Sequence, residues 1–292
     1  MRRQEKVNRA TPSVGCAEIP KPRKIEYFVH FGETNGVKRN LMDILELITL
    51  FHKDAERQGP GSDETTRKAF SFVPPLPTDA TILDLGCGTG ASTVILAEET
   101  ASINSQIIAV DLLPEFLGVL QTRIDAKNLN DRIRLDNLSM ENLPYPPESF
   151  DLIWAEGSIY HLGFENGIRK LRPLLKPGGC IAVSEISWIT ALRPTEIENY
   201  WHAQYPEIDL VSKKTAQLEA NGYAPLAVFT LPKECWTTHY YEPIRRRSPA
   251  FLEQYGDDPM TKPFIEEGLH EAETYDRFSD YYSYAFYVAK KA

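Results

Sequence analysis

The sequence predicts an α/β fold, a mostly parallel sheet with helices on both faces. Three observations predict it. Short apolar runs alternate with helical patterns from Thr81 to Glu185, the order that builds a parallel sheet, since each strand must return by a crossover. A glycine-rich turn, Gly86-Cys87-Gly88-Thr89-Gly90, directly follows the first of these runs. The composition, 42% hydrophobic and 25% charged over 292 residues, is ordinary globular usage and excludes a mostly disordered chain.

Residues 1–24 hold seven Lys or Arg against two acids, with Pro12, Pro20 and Pro22. They read as a flexible basic tail, a solvated extension rather than a weak organellar signal. The start lacks an apolar core, so a secretory signal is not expected. Residues 41–48 repeat apolar side chains at helical spacing. At 58–64 a Gly-Pro-Gly turn leads to Ser62, an N-cap residue, with Asp63 and Glu64 in the first turn of a helix that stops before Pro74-Pro75.

Residues 82–85 read as a buried strand, 92–99 as a helix, and 106–110 as a second strand ending at Asp111. Pro114 opens a helix carrying Phe116, Leu117, Leu120 and Ile124. Strands follow at 133–135 and 150–154, a helix at 165–175, a Lys-Pro-Gly-Gly turn at 176–179, and a strand at 180–185. Beyond Glu185 the character changes: residues 185–292 hold 19 of the 31 aromatics, with strand candidates at 227–231 and 284–289 and a charged, helical stretch between.

The formal charge of −9 argues against a broad face for nucleic acid. No apolar run reaches the ~18 residues of a membrane span. Cys16, Cys87, Cys180 and Cys235 form no C-x-x-C pair, and the six histidines no H-x-x-x-H pair. Neither a disulfide framework nor a metal site is expected, and a reducing, cytoplasmic setting is.

The glycine turn carries the chemistry. Glycines let the backbone turn tightly at the sheet edge and let a ligand approach it. Asp111, at the end of the next strand, can accept hydrogen bonds from both hydroxyls of a ribose. Gly86–Ala91 also satisfies the G-x-G-x-x-A dinucleotide fingerprint. The G-x-G-x-G spacing and Asp84 favour a different ligand. A carboxylate there sits poorly beside a pyrophosphate but suits the ammonium of an amino-acid moiety, or else caps the loop's own amides.

Residues 82–90, Asp111, residues 139–145 with 148–151, and 175–179 together resemble class I S-adenosylmethionine (SAM)-dependent methyltransferases, strongly over about 55–190. The chain is most similar to the UbiE-like small-molecule group, including its bacterial members through 57–62 and 154–160. The resemblance implies a Rossmann-like, seven-stranded sheet with an antiparallel last strand. It implies that SAM lies on Gly86, Cys87, Gly88, Thr89 and Gly90, with its ribose on Asp111 and its adenine between Leu112 and Met140. Glu156 would stand beside the sulfonium. Ser139 stands where many relatives have Asp for the adenine amino group, and Glu141 is a substitute. Gly61 and its turn would close over the cofactor.

Methyl transfer needs alignment in a dry pocket and, for some acceptors, a base. His161 leads as base candidate, set against a hydrogen-bonded helix-start role. Tyr160 would orient the acceptor, and Glu185 would face the same rim unless held in a salt bridge. Trp188, Trp236 and Tyr240 would wall the substrate pocket. With Trp201 and Tyr241 they would form a box for an aromatic or cationic substrate, or simply the core of a cap. Arg245-Arg246-Arg247 would attract an anion or stay solvated.

The expected organisation is an extension over 1–40 and a methyltransferase domain over 41–292, with a core at about 55–190 and cap elements within 186–283. The expected function is methyl transfer from SAM to a small-molecule acceptor, with no nucleic-acid partner and a homodimer admitted. The alternatives are an NAD-dependent oxidoreductase and a non-catalytic SAM-binding protein.

Overall fold

In the computed structural model, residues 43–292 are described. The basic tail, the proposed 1–40 extension, and Leu41 and Met42 of the first helical pattern lie outside the described residues. Helix α1 (Ile44–His52) begins at Asp43, whose carboxylate accepts from the Glu46 amide at 2.8 Å. Helix α2 (Asp63–Phe70) starts at Ser62 as expected, and a reciprocal capping box with Thr65 fixes that start.

The α/β core then runs β1 (Thr81–Leu85), α3 (Ala91–Glu99), β2 (Gln106–Asp111), α4 (Pro114–Lys127), β3 (Ile133–Asn137), β4 (Phe150–Glu156), α5 (Phe164–Leu171) and β5 (Leu175–Trp188). The remainder adds α6 (Thr195–Gln204), β6 (Asp209–Leu210), α7 (Val211–Ala220), β7 (Tyr223–Thr230), α8 (Glu234–Trp236), α9 (Glu242–Tyr255), α10 (Thr261–Phe278) and β8 (Tyr282–Lys291).

One mixed sheet has the order β3-β2-β1-β4-β5-β8-β7, and β8 runs antiparallel to both neighbours. The expected antiparallel last strand is β8. An eighth, two-residue strand, β6, pairs β5 at Ser187 and Trp188, where β4 has already ended. Helices cover both faces, so β4 is buried along almost its whole length.

Two expectations needed correction. The Lys176–Gly179 turn is a bulge inside β5, not a break before it. Phe150 pairs Leu175 and Leu152 pairs Cys180, so the extra residues loop out, and Gly178 at φ +75° takes the left-handed bend. The helix expected over 165–175 ends at Leu171, where Pro173 turns the chain into a 3-10 turn.

Candidate active site

β1, β2 and β4 end side by side at the carboxyl edge of the sheet, where their following loops enclose a cavity of about 370 Å³. The glycine turn forms its floor. Gly86, Gly88 and Gly90 all have positive φ, and the space a Cβ would need at Gly88 is filled by the Gln58 side chain and at Gly90 by Leu120. The loop is therefore wrapped from both sides. Gln58 donates to Thr89 Oγ1 at 3.0 Å and accepts from the Thr89 amide at 3.0 Å.

Asp111 pins the same loop to β2. Its Oδ2 accepts from the Gly88 amide at 2.8 Å and its Oδ1 from the Leu113 amide at 2.9 Å. Each oxygen keeps a lone pair for a further donor. Burial raises the carboxyl above its usual range, and the Leu113 and Gly88 amides pull it back.

Asp84 lies one side chain behind the wall. Its Oδ2 accepts from Ser92 at 2.9 Å and Thr93 at 2.6 Å, while its buried Oδ1 has no hydrogen-bond partner among the described residues. Burial pushes its pKa up to about 7, against the pull of the two hydroxyls. Ser92 lines the cavity.

Of the residues singled out in the sequence, Gly86, Cys87, Gly88, Asp111 and Leu112 line this cavity. So do Ser139, Met140, Glu141, Glu156, Tyr160 and His161. Asp84, Thr89, Gly90 and Gly61 do not line it; they brace the residues that do. Glu156 is tied by Arg57 at 2.9 Å, by Thr66 at 2.9 Å, and by the Trp154 indole at 3.2 Å. Gly61 packs against this pair: a Cβ there would stand 2.8 Å from Glu156 Oε1. Arg57 stays charged; burial works against its charge, but Glu156 and Asp63 outweigh it.

His161 lies at the mouth. The surrounding chain lowers its pKa, toward about 4, and the solvent reaching its exposed ring opposes that lowering. Both effects leave the imidazole neutral at pH 7. His52, half-buried beside Arg247, is lowered to about 3, first by burial and then by the Arg247 charge.

A second cavity, about 180 Å³, adjoins the first and shares its walls at His52, Gln58, Tyr160, Tyr240 and Phe264. Trp201, Trp236 and Tyr240 line it. Tyr240 reaches it because a π turn, Thr237–Tyr241, joins α8 to α9 and widens the helix there.

Glu185 and Trp188 are corrections. Successive residues of a strand point to opposite faces. Ile186 lines the second cavity, so Glu185 points to the other face, where it pairs with Lys214 at 3.2 Å in a buried ion pair. Trp188 is core, packed edge-on to Tyr282 and under the Arg193 guanidinium. Tyr241 is also buried behind the cavity wall. Arg245 is held by Asp276 on the surface.

Sequence reasoning gave no role to Gln58, Arg57 or Ser158, whose hydroxyl ties the loop after β4 to the Leu85 carbonyl at 2.6 Å. Arg57 and Gln58 belong to the 57–62 stretch that carried part of the resemblance, and that stretch was their signal.

Residues 82–179 match the family model described as a methyltransferase domain. Over these residues the chain is similar to class I SAM-dependent methyltransferases. Among curated proteins it is 32% identical over 106 residues to "Methyltransferase GfsG" of Streptomyces halstedii, covering 36% of this chain and 37% of that one. It is 27% identical over 213 residues to "Trans-aconitate 2-methyltransferase" of Paracidovorax citrulli, covering 70% and 78%. The domain thus spans between 24% and 49% of the length of the first four curated relatives it matches. A SAM-dependent methyltransferase from Geobacter sulfurreducens, solved with S-adenosyl-L-homocysteine, superimposes with a TM-score of 0.72 at 17% identity, covering 86% of this chain and 99% of that one. The fold shared with that structure therefore extends well beyond the matched residues.

Proposed function

We propose that this protein transfers the methyl group of SAM to a small-molecule acceptor. The observation that carries the reading is the convergence of the glycine turn, clamped by Gln58, with Asp111 on one nucleoside-sized cavity. When bound, SAM supplies a methyl already activated on a sulfonium centre.

The chain's own residues bind, orient and exclude water. Asp111 takes the ribose hydroxyls on its free lone pairs. Leu112 and Met140 take the two faces of the adenine, and Ser139 or Glu141 its amino group. Asp84, with its unpartnered Oδ1, fits a cationic amino group presented at the Ser92 side of the wall. Gly86, Cys87 and Gly88 offer bare backbone, while Thr89 and Gly90 hold the turn's shape. Glu156 keeps its charge offset by Arg57, so it orients that end of the cavity without demanding a second cation.

The acceptor occupies the second cavity, with Tyr160 and Tyr240 at the junction and Trp236 behind them. His161, neutral at pH 7, stands on the first cavity only, so its role is at the mouth. Orientation of two reactants in a dry site can supply on the order of 7–11 kcal/mol of the barrier. A small-molecule acceptor, rather than a nucleic acid, suits cavities of this size and the acidic balance. The setting we propose is reducing and cytoplasmic. Among the described residues no helix is long and apolar enough to cross a membrane.

Titrating S-adenosylhomocysteine and NAD into the protein separates this reading from a nicotinamide-dependent oxidoreductase. Binding of the first with silence of the second is the expected result.

A further inference from the structure

We infer that the second cavity binds a cationic amine, held between aromatic faces and the paired carboxylates of Glu267 and Glu271, so that the methyl acceptor is an amine nitrogen. The inference rests on the methyl-transfer reading for the word acceptor, but the cation site stands on its own geometry.

Glu267 and Glu271 are one helical turn apart on α10, so both face the same side, and both line the cavity. Neither forms an ion pair among the described residues. Glu267 accepts from the Gln204 amide at 3.0 Å, and Glu271 accepts from the Tyr241 hydroxyl at 2.8 Å. Among the described residues the cavity wall includes no Lys or Arg. Arg247 stands over the Phe51 ring at 4.9 Å and is not among the residues that line the cavity. His52, the remaining basic group on the wall, is neutral. Among the described residues the cavity therefore presents negative charge with nothing cationic on its wall to balance it.

Much of the rest of the wall is aromatic. Trp201, Trp236, Tyr240 and Tyr284 line it, and Trp236 meets Tyr284 edge-on at 4.9 Å between ring centres. Aromatic faces attract cations through their quadrupole and repel carboxylates. An anionic acceptor would meet two carboxylates and these faces without a counter-ion. A neutral hydrocarbon would leave both carboxylates buried against it, at a desolvation cost. A protonated or quaternary amine satisfies both features.

A nitrogen must be unprotonated to attack a methyl carbon. Glu271 is placed to accept the proton: the N–H bond breaks, the O–H bond forms on the carboxylate, and the electron pair stays on nitrogen. Burial raises the Glu271 carboxyl to about 7, the Tyr241 hydroxyl opposes that rise, and Glu267 adds to it. The other titratable groups facing it are the Tyr200 and Tyr282 phenols, both raised well above their usual range first by burial and so neutral. Glu271 thus changes charge near neutral pH with only acids around it.

The test uses tetramethylammonium, which cannot lose a proton, and tert-butanol, its neutral counterpart of similar shape. Each is titrated at pH 8 and constant chloride into the full-length protein, with tryptophan fluorescence reporting from Trp201 and Trp236. The expected result is saturable binding of tetramethylammonium, at least ~10-fold tighter than tert-butanol. E267Q and E271Q are expected to weaken it ~10-fold while keeping their thermal midpoints within a few degrees. Lowering the pH to 5.5 is expected to weaken it in the unaltered protein and not in E271Q. Equal response to the two probes, or no saturation by tetramethylammonium, overturns the inference in the unaltered protein, whatever the variants do. S-adenosylhomocysteine is titrated in parallel. Its binding with silent tetramethylammonium removes the amine site and leaves methyl transfer standing; the reverse pattern removes methyl transfer and leaves the cation site.

Discussion

Asp84 and Asp111 do different work two strands' ends apart, and their surroundings explain the difference. Asp111 receives two backbone amides and sits on the cavity wall. Asp84 receives two hydroxyls, is fully enclosed, and keeps one oxygen bare. On the proposed reading, removing Asp111 takes away the recognition of the ribose together with the clamp on Gly88. Asp111→Ala is expected to weaken SAM binding by about 10–100-fold, since hydrogen bonds to a charged group are worth ~1.5–3 kcal/mol each. Calorimetry reads this directly, and an unchanged dissociation constant would take Asp111 out of the site. Asp84 makes stability depend on pH. An acid whose pKa is raised to about 7 on folding binds more protons folded than unfolded from its ordinary value near 4 upward. Its contribution to stability therefore falls as pH rises through that window and is lost above about 7. Asp84→Asn is expected to flatten the slope of unfolding free energy between pH 4 and 7 in urea titrations of the unliganded protein. An identical slope would show that Asp84 is not held near neutrality. Glu271 is raised to a similar value and keeps part of the slope in that variant.

At the scale of elements, the segment before β1 lines both cavities at Gln58, Gly59 and Pro60 and braces the site through its side chains. Arg57 reaches Glu156 at the end of β4, and Gln58 fills the space beside Gly88. Gly61 lies between, with its amide donating to the Cys235 carbonyl at 3.4 Å in the run that holds α8. Gly61→Val is expected to push the Arg57–Glu156 pair apart and to weaken SAM binding severalfold. A breach in a buried ion pair costs ~3–5 kcal/mol when one partner is lost outright, and displacement costs less. Unchanged SAM affinity in a folded variant would end the idea that this turn supports the site.

The same element scale shows what was legible in the sequence. β1 with its glycine turn, β2 ending at Asp111, and Ser62 as a cap could be read because local chemistry determines each: positive φ, a strand-end carboxylate, a side-chain oxygen on a free amide. Glu185 could not be read. Its place depended on which face of β5 meets α7, and a one-residue difference decides between the Lys214 ion pair and the cavity lined by Ile186. The roles of Trp188 and Trp236 were equally hidden. Both are almost fully buried, yet only Trp236 borders a cavity among the two, because α8 and the π turn aim its run of chain at α10. Glu267 and Glu271 were overlooked because a charged helix face ordinarily meets solvent; here α6, through Gln204, and the π turn, through Tyr241, pack against that face of α10.

Across the whole molecule, one sheet organises both cavities. The first stands at the ends of β1, β2 and β4, and the second lies under the helices that follow β5 and precede β8. The parallel half of the sheet therefore presents the glycine turn, and the C-terminal half supplies an aromatic chamber against it. This arrangement explains why 19 of the 31 aromatics lie beyond residue 184: they build a core for α6 to α10 and, where Trp201, Trp236, Tyr240 and Tyr284 meet, a wall. The central claim is that the first cavity is made for an S-adenosyl group. Calorimetric titration of SAM, S-adenosylhomocysteine and NAD into the purified protein tests it most directly. The account predicts micromolar binding of SAM and S-adenosylhomocysteine and no heat from NAD. Binding of NAD with silence from both adenosyl compounds would contradict it, and would reassign Asp84, Asp111 and the glycine turn to a dinucleotide.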